Sequence, residues 1–302
     1  MSSSFGSLFV LTCTVGKVMK SFKNLLVLGL LSGSFGCSEY GGGAVVVPKV
    51  TFVPADASAA SGADTEVVAE TAEVAAPGTF TGKLVLSGTP VVLPPLIAMG
   101  ADVKDKEVCA AVDVPDERLV LGAGNGVANA FVYLPKAPKN GKKLEAAEEP
   151  FLFDQKNCRF FPHCVVLPVG QTVKVLSDDT VAHNTHTYPN KNQGVNSGVA
   201  PGDREGKLEF TYRKSEAQPL SVKCDYHTWM TAYHLPLDHP YAAVTDAEGA
   251  FTIPDLPSGK HTFVVWHEAV DGNFVERKLV VEIQPGATTD MQVELPADKL
   301  KL

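Results

Sequence analysis

Cys224, His227 and Met230 stand at the first, fourth and seventh positions of the run Cys224-Asp225-Tyr226-His227-Thr228-Trp229-Met230. A compact loop leaving a strand can turn a thiolate, an imidazole and a thioether at these spacings toward one point. One Cys, two His and a weak, long axial Met are the donors of mononuclear copper sites that carry single electrons. The second imidazole must come from another loop, and Thr180-Val181-Ala182-His183-Asn184-Thr185-His186, directly after the alternating run Thr172–Leu176, offers two. His183 is the expected ligand, and His186 is the alternative or a residue of the entry face. Trp229 is expected either to cover the metal from solvent or to serve as a plain core residue.

Other chemistry fits less well. A thioether is a poor zinc ligand and no fourth hard donor stands beside the loop. A Cys–His nucleophile would need a third orienting group and an oxyanion feature, and neither can be named. The chain therefore reads as a carrier, not an enzyme. His163, His234, His239, His261 and His267 read as surface or hydrogen-bonded histidines. The competing structural reading places Cys224 in a disulfide, since exported proteins commonly use their cysteines that way.

The elements that must position these residues are strands. Thr79–Ser87, Ala128–Leu134, Leu208–Tyr212, Leu220–Cys224, Phe251–Ile253 and His261–Trp266 alternate or run apolar and end at turn residues. Val165–Leu176 holds two apolar runs around Gly170, and Leu279–Ile283 and Met291–Leu295 finish the chain. Strands spaced by turns, without long segments of period 3.6, predict an all-β sandwich architecture. The one expected helix is a short one within Asp113–Leu121. Val244 to Phe263 has hairpin grammar, with turns at Asp246–Gly249 and Pro257-Ser258-Gly259.

The Cys-x2-His-x2-Met loop resembles the short ligand loop of the amicyanins, and His183-Asn184 resembles the His-Asn element of plastocyanins and amicyanins. Residues from about 80 to 270 resemble exported bacterial cupredoxin-like, methylamine-utilisation-like proteins of the planctomycete type. Phe161-Pro162-His163, His183-Asn184-Thr185-His186, the 224–230 loop, Asp238-His239-Pro240-Tyr241 and Trp266-His267-Glu268 carry that match. The resemblance implies His183 as the upstream ligand, with Asn184 pinning the two ligand segments together through backbone hydrogen bonds. It also implies a Cys109–Cys158 disulfide, leaving Cys164 a buried thiol. The 244–263 segment resembles the latter half of a carboxypeptidase regulatory-like (transthyretin-like) module, which is non-catalytic.

The expected fold is therefore a cupredoxin Greek-key sandwich over 150–238 associated with a transthyretin-like sandwich formed by 78–140 and 240–296. Two consecutive domains, or one enlarged sandwich, are the other arrangements open to the sequence.

Composition bounds the partners. The chain of 302 residues has 45% hydrophobic and 20% charged residues and a formal net charge of −8. No Lys/Arg cluster is interleaved with aromatics, so nucleic acid is not an expected partner. Redox partner proteins are expected instead.

At the N-terminus, Lys20 and Lys23 precede the apolar run Leu25–Leu31, small residues and Cys37. This is the pattern of an export signal, too short in its apolar part to span a bilayer. Residues 1–36 are expected to be removed, with Met19 an alternative start. Cys37 is the expected site of lipidation, and 37–77 is a Gly-, Ala- and Val-rich tether to the membrane. The expected location is periplasmic or cell-surface.

An exposed His227 edge would favour electron transfer, surplus Met and His ligands would favour copper sequestration, and a Cys224 disulfide would favour a metal-free adhesion scaffold. Mass spectrometry of the membrane-associated protein should find a mature N-terminus at diacylated Cys37. Recovery of only an unmodified soluble form, or of a chain retaining residues 1–36, would sink that expectation.

Overall fold

The computed structural model describes residues 75–302. Cys37, the 1–36 signal and most of the 37–77 tether lie outside the described residues. In chain order the strands are β1 (Gly78–Ser87), β2 (Phe131–Tyr133), β3 (Phe151–Lys156), β4 (Arg159–Phe161), β5 (Cys164–Pro168), β6 (Thr172–Val175), β7 (His183–Thr187), β8 (Asn196–Val199), β9 (Leu208–Thr211), β10 (Leu220–Lys223), β11 (Thr231–Leu237), β12 (Ala242–Val244), β13 (Ala250–Leu256), β14 (Gly259–Trp266), β15 (Phe274–Ile283) and β16 (Thr288–Pro296). The fold is all-β. Among the described residues, α-helix is confined to the single turn α1 (Lys106–Cys109).

Four sheets make two layered units. In the first unit, sheet β13-β1-β16 faces sheet β12-β2-β14-β15. Strand β1 buries every second residue, Phe80, Leu84 and Leu86 among them, because successive side chains point to opposite faces. Those residues meet Val132, Ile253, Phe263, Val265 and Leu295 in one core. Pairing of β1 with the C-terminal β16 is parallel, and this joins the two ends of the described chain. Gly82 is required there, since a Cβ would stand 2.2 Å from the Met291 carbonyl oxygen.

In the second unit, sheet β5-β11-β10-β7-β8 packs against sheet β4-β3-β6-β9. Phe153, Val173, Val175, Tyr212, Leu220 and Val222 fill the space between them, together with Cys224 and Met230 at one end. A third apolar cluster, Phe131, Tyr133, Cys164, Leu235, Leu237 and Trp266, joins the units. Trp266 packs edge-on against both Phe131 and Tyr233.

The helix expected within Asp113–Leu121 is not formed. Pro115 supplies no N–H, and the Asp116 carboxylate accepts the Arg118 backbone N–H at 3.1 Å, which favours a local turn over helix. The helical turn instead lies at Lys106–Cys109. Strand β11 gives little signal in the sequence because His234 and Pro236 interrupt its apolar run. The structure places His163, His234, His239 and His267 in buried positions rather than at the surface.

His234 is fully enclosed, its Nδ1 3.1 Å from the Tyr212 hydroxyl and its ring edge-on to Phe153. Burial drives its pKa down to about 3. The unfolded imidazole titrates near 6.5, so between these values the unfolded state binds the extra proton and acid destabilises the fold. Stability should fall by about 1.4 kcal/mol per pH unit from this group as pH drops below about 6.5. Urea unfolding at pH 6.5 and 4.5 should show about 2 kcal/mol of acid-dependent loss that His234→Gln does not share.

Candidate metal centre

The site is built by strand pairing. Strands β7 and β10 run antiparallel with His186 opposite Lys223 and Thr187 opposite Val222. This register sets His183, the first residue of β7, beside Cys224, the first residue beyond β10. His183 is thus held by a strand and not by the loop expected from the sequence. The run 224–230 is the connection from β10 to β11, closed by the pairing of Lys223 with Thr231. Inside it the Met230 N–H donates to the His227 carbonyl at 2.9 Å and the Cys224 N–H to the Met230 carbonyl at 3.3 Å.

Three donor atoms converge. His183 Nδ1 and His227 Nδ1 lie 3.0 Å apart, and Cys224 Sγ is 3.9 and 3.8 Å from them. His183 and His227 are 0% exposed, Cys224 1% and Met230 2%, so the centre is closed to bulk water. Met230 packs in the same core cluster as Cys224. Cys224 is a free thiol, which removes the disulfide reading.

The outer ring nitrogens decide the tautomers. His183 Nε2 meets Asp179 Oδ2 at 2.9 Å, and His227 Nε2 meets Asp105 Oδ2 at 2.9 Å. An ionised carboxylate only accepts, so each Nε2 carries the proton and donates it. With both rings neutral, the Nδ1 atoms then present lone pairs to each other and to the sulfur, and a further proton on either ring lies at Nδ1, facing the sulfur. Two lone pairs 3.0 Å apart beside a thiolate repel unless a cation or a proton lies among them. The donor set, two imidazole nitrogens and a thiolate with a thioether close by, suits copper.

Charge in the site follows the same contacts. Burial pushes the Cys224 thiol up, but hydrogen bonds from His183, His227 and the backbone of Asn184 and His227 outweigh it and bring the pKa to about 6. Desolvation works against protonated His183, yet Asp179 and then Cys224 raise its pKa to about 8. Burial likewise opposes ionised Asp179. Donors from His183, Cys158 and Asn157 overcome it and hold the carboxyl below its ordinary value.

Asn184 ties the two ligand segments. Its Oδ1 accepts the Asp225 backbone N–H at 2.6 Å, and its Nδ2 donates to Asp225 at 2.9 Å and Asn196 at 2.8 Å. His186 points elsewhere: its Nδ1 is 3.1 Å from Asp225 and its ring stacks on Tyr188. The Trp229 ring lies 5.2 Å from the His227 ring, centroid to centroid. A cavity of about 330 Å³ reaches Trp229 and Met230 and is lined also by Cys158, Phe160, His163 and Tyr233.

Cys109 and Cys158 form a disulfide whose sulfurs lie within 4.8 Å of a His227 ring nitrogen. Cys37 lies outside the described residues.

Three features of the site were not read from the sequence. Asp179 stands four residues before His183, a spacing that offered a local clue. Asp105 is 122 positions from His227 and offered none. The disulfide's position against the ligand rings is likewise a product of the folded chain. The exposed His227 edge that would have favoured electron transfer is absent, because Asp105 and Trp229 cover it.

No family model matches the chain, and no curated protein matches it. Several solved structures are similar to part of it. A copper-containing nitrite reductase from Thermus scotoductus is 18% identical over 34% of this chain and 25% of its own, with a TM-score of 0.27. The match thus spans a quarter of that enzyme's length. A purple cupredoxin from Nitrosopumilus maritimus is 21% identical over 29% of this chain and 99% of its own, TM-score 0.24. An oxidised mutant of amicyanin is 14% identical over 35% of this chain and 98% of its own, TM-score 0.25.

Asn184→Ala should leave the Asp225 N–H without its partner and cost about 2 kcal/mol in urea unfolding. An unchanged midpoint would mean that the ligand segments are held together by strand pairing alone.

Proposed function

We propose that this protein holds one copper ion on His183, Cys224, His227 and Met230 and serves as a single-electron carrier. The observation that carries the proposal is the buried meeting of two imidazole lone pairs and a thiol of lowered pKa. Copper bound there would supply a one-electron Cu(II)/Cu(I) couple. The chain's own residues do the rest. His183 and His227 offer Nδ1 because Asp179 and Asp105 hold the protons at Nε2. Cys224 offers a thiolate near neutral pH, and Trp229 shields the His227 ring.

Donors at strand ends, beside a disulfide, resist rearrangement, which favours small structural change between oxidation states. The Lys20/Lys23 signal and Cys37 support a periplasmic or cell-surface protein anchored in a membrane by lipid and meeting redox partner proteins there.

Burial of His227 favours a second reading, a module that holds or sequesters copper without passing electrons. The two differ in what is fast. A carrier exchanges electrons with a small redox mediator faster than it yields copper to a chelator, whereas a holding module does the reverse.

Titration should give one copper per chain and, with Cu(II), the intense visible band of a copper–thiolate bond. Cys224→Ser should abolish the colour and leave a folded protein. His183→Ala and His227→Ala should each weaken binding, because each removes a donor. Met230→Leu should keep the colour and raise the reduction potential, and His186→Ala should change little. A parent protein that remains colourless with Cu(II) while Cys224 is a free thiol would end the copper reading.

A further inference from the structure

Each of the two imidazoles facing Cys224 ends on a carboxylate. Asp179 is 4% exposed and is fixed from three sides, by His183 Nε2 at 2.9 Å and by the backbone N–H groups of Asn157 and Cys158 at 2.7 and 2.8 Å. Asp105 has a left-handed backbone, φ 53°, at the start of α1. Its carbonyl accepts the Val108 and Cys109 N–H groups, both at 2.9 Å, while its side chain reaches His227 Nε2. The Cys109–Cys158 disulfide then links the turn that presents Asp105 to the turn that grips Asp179. Among the described residues, neither carboxylate is matched by a Lys or Arg. The ion pair next to Asp105 is Lys106–Asp102, and Asp179 has His183 as its only salt-bridge partner among the described residues.

We infer that Asp105 and Asp179 are positioning residues that bias the centre toward the divalent metal, so that it holds Cu(II) in strong preference to Cu(I). The inference rests on the copper reading above. Its physical basis is charge. One thiolate and two carboxylates surround the cluster; a divalent ion leaves one net negative charge and a monovalent ion leaves two. In a buried site of low dielectric the extra uncompensated charge is costly. A carboxylate accepting the Nε2 proton also makes the opposite nitrogen more basic and fixes the ring, as the second layer of metal sites does generally. Reduction adds one electron and moves no proton, since both Nε2–H groups stay on their rings. All of the added charge must therefore be borne by the site.

Asp105→Asn and Asp179→Asn keep an acceptor oxygen and the side-chain shape while removing the charge. Redox titration of the copper-loaded full chain against a small-molecule couple such as ferricyanide/ferrocyanide reads the equilibrium directly. Each variant should shift the Cu(II)/Cu(I) ratio toward Cu(I) by about tenfold to a hundredfold, the scale on which second-layer partners act. For one electron that is about 59 mV per tenfold. The double variant should exceed either single one, and Asp105→Glu should return toward the parent.

Competition with a chelator should show Cu(II) affinity falling more than Cu(I) affinity. Asp154→Asn, which removes a carboxylate paired with Arg204, should leave the ratio within twofold of the parent. If Asp179→Asn fails to fold, Asp105→Asn alone decides, because that carboxylate lies at the surface-facing edge of the site. Ratios within twofold of the parent in copper-loaded Asp105→Asn overturn the inference while leaving the copper reading intact. A parent that binds no copper overturns the copper reading itself, and this inference with it.

Discussion

Two imidazole nitrogens with their lone pairs facing, and a sulfur inclined to be a thiolate, occupy one buried space between two sheets. Left alone, such an arrangement would force the chain to admit water, protonate a ring or swing a side chain away. Water entry and side-chain rotation are closed to it, and a proton on His183, whose pKa is raised to about 8, is what a metal would displace. The outer nitrogens are committed to carboxylates, the rings are enclosed, and the sulfur sits where a strand ends. The surroundings are arranged to maintain a constellation that is unfavourable until a cation enters. A metal binding there would therefore contribute directly to the stability of the folded state.

The register of β7 against β10 is what makes the meeting possible. A slip of one residue would turn His183 to the opposite face of the sheet and leave Cys224 without that imidazole. Asn184 bonded to Asp225, Lys223 opposite Thr231, and the core packing of Val222 all oppose that slip. The first unit contributes from a distance. Its cluster around Phe131, Tyr133 and Trp266 holds β5 and β11, and β11 begins directly after Met230. The end that carries the donor cluster is thus braced from behind by a core that contains none of those donors.

Burial of His227 distinguishes how this centre meets its surroundings. An imidazole edge open to solvent offers a partner protein a short path to the metal. Here Asp105 and Trp229 occupy that edge, and the accessible approach is the cavity on the Met230 side. For the proposed copper site, electron entry from that side and firm retention of the metal are the two consequences such a cover would have. Both follow from the segment carrying α1, which packs Val103 and Val108 against the core and is fastened through Cys109.

What could be read along the chain was set by covalent spacing and local alternation. Cys224, His227 and Met230 are three residues apart in a loop, and no folding information beyond a tight turn is needed to bring them near one another. The alternation of Thr79–Ser87 or Leu220–Cys224 likewise announces a half-buried strand from residue types alone, and together these runs specify an all-β chain. Tertiary structure decided the remainder. Which histidine faces Cys224 depends on the pairing of β7 with β10, because His183 and His186 differ by a turn of orientation that composition cannot express. The carboxylate on His227 comes from 122 residues upstream, and its arrival depends on α1 and a disulfide acting together. Short strands such as β4 and β12, and β11 with its histidine and proline, exist because neighbours complete their hydrogen bonds, not because their sequences favour them. Local chemistry named the donors; only long-range packing could bury them, set their tautomers and surround them with negative charge.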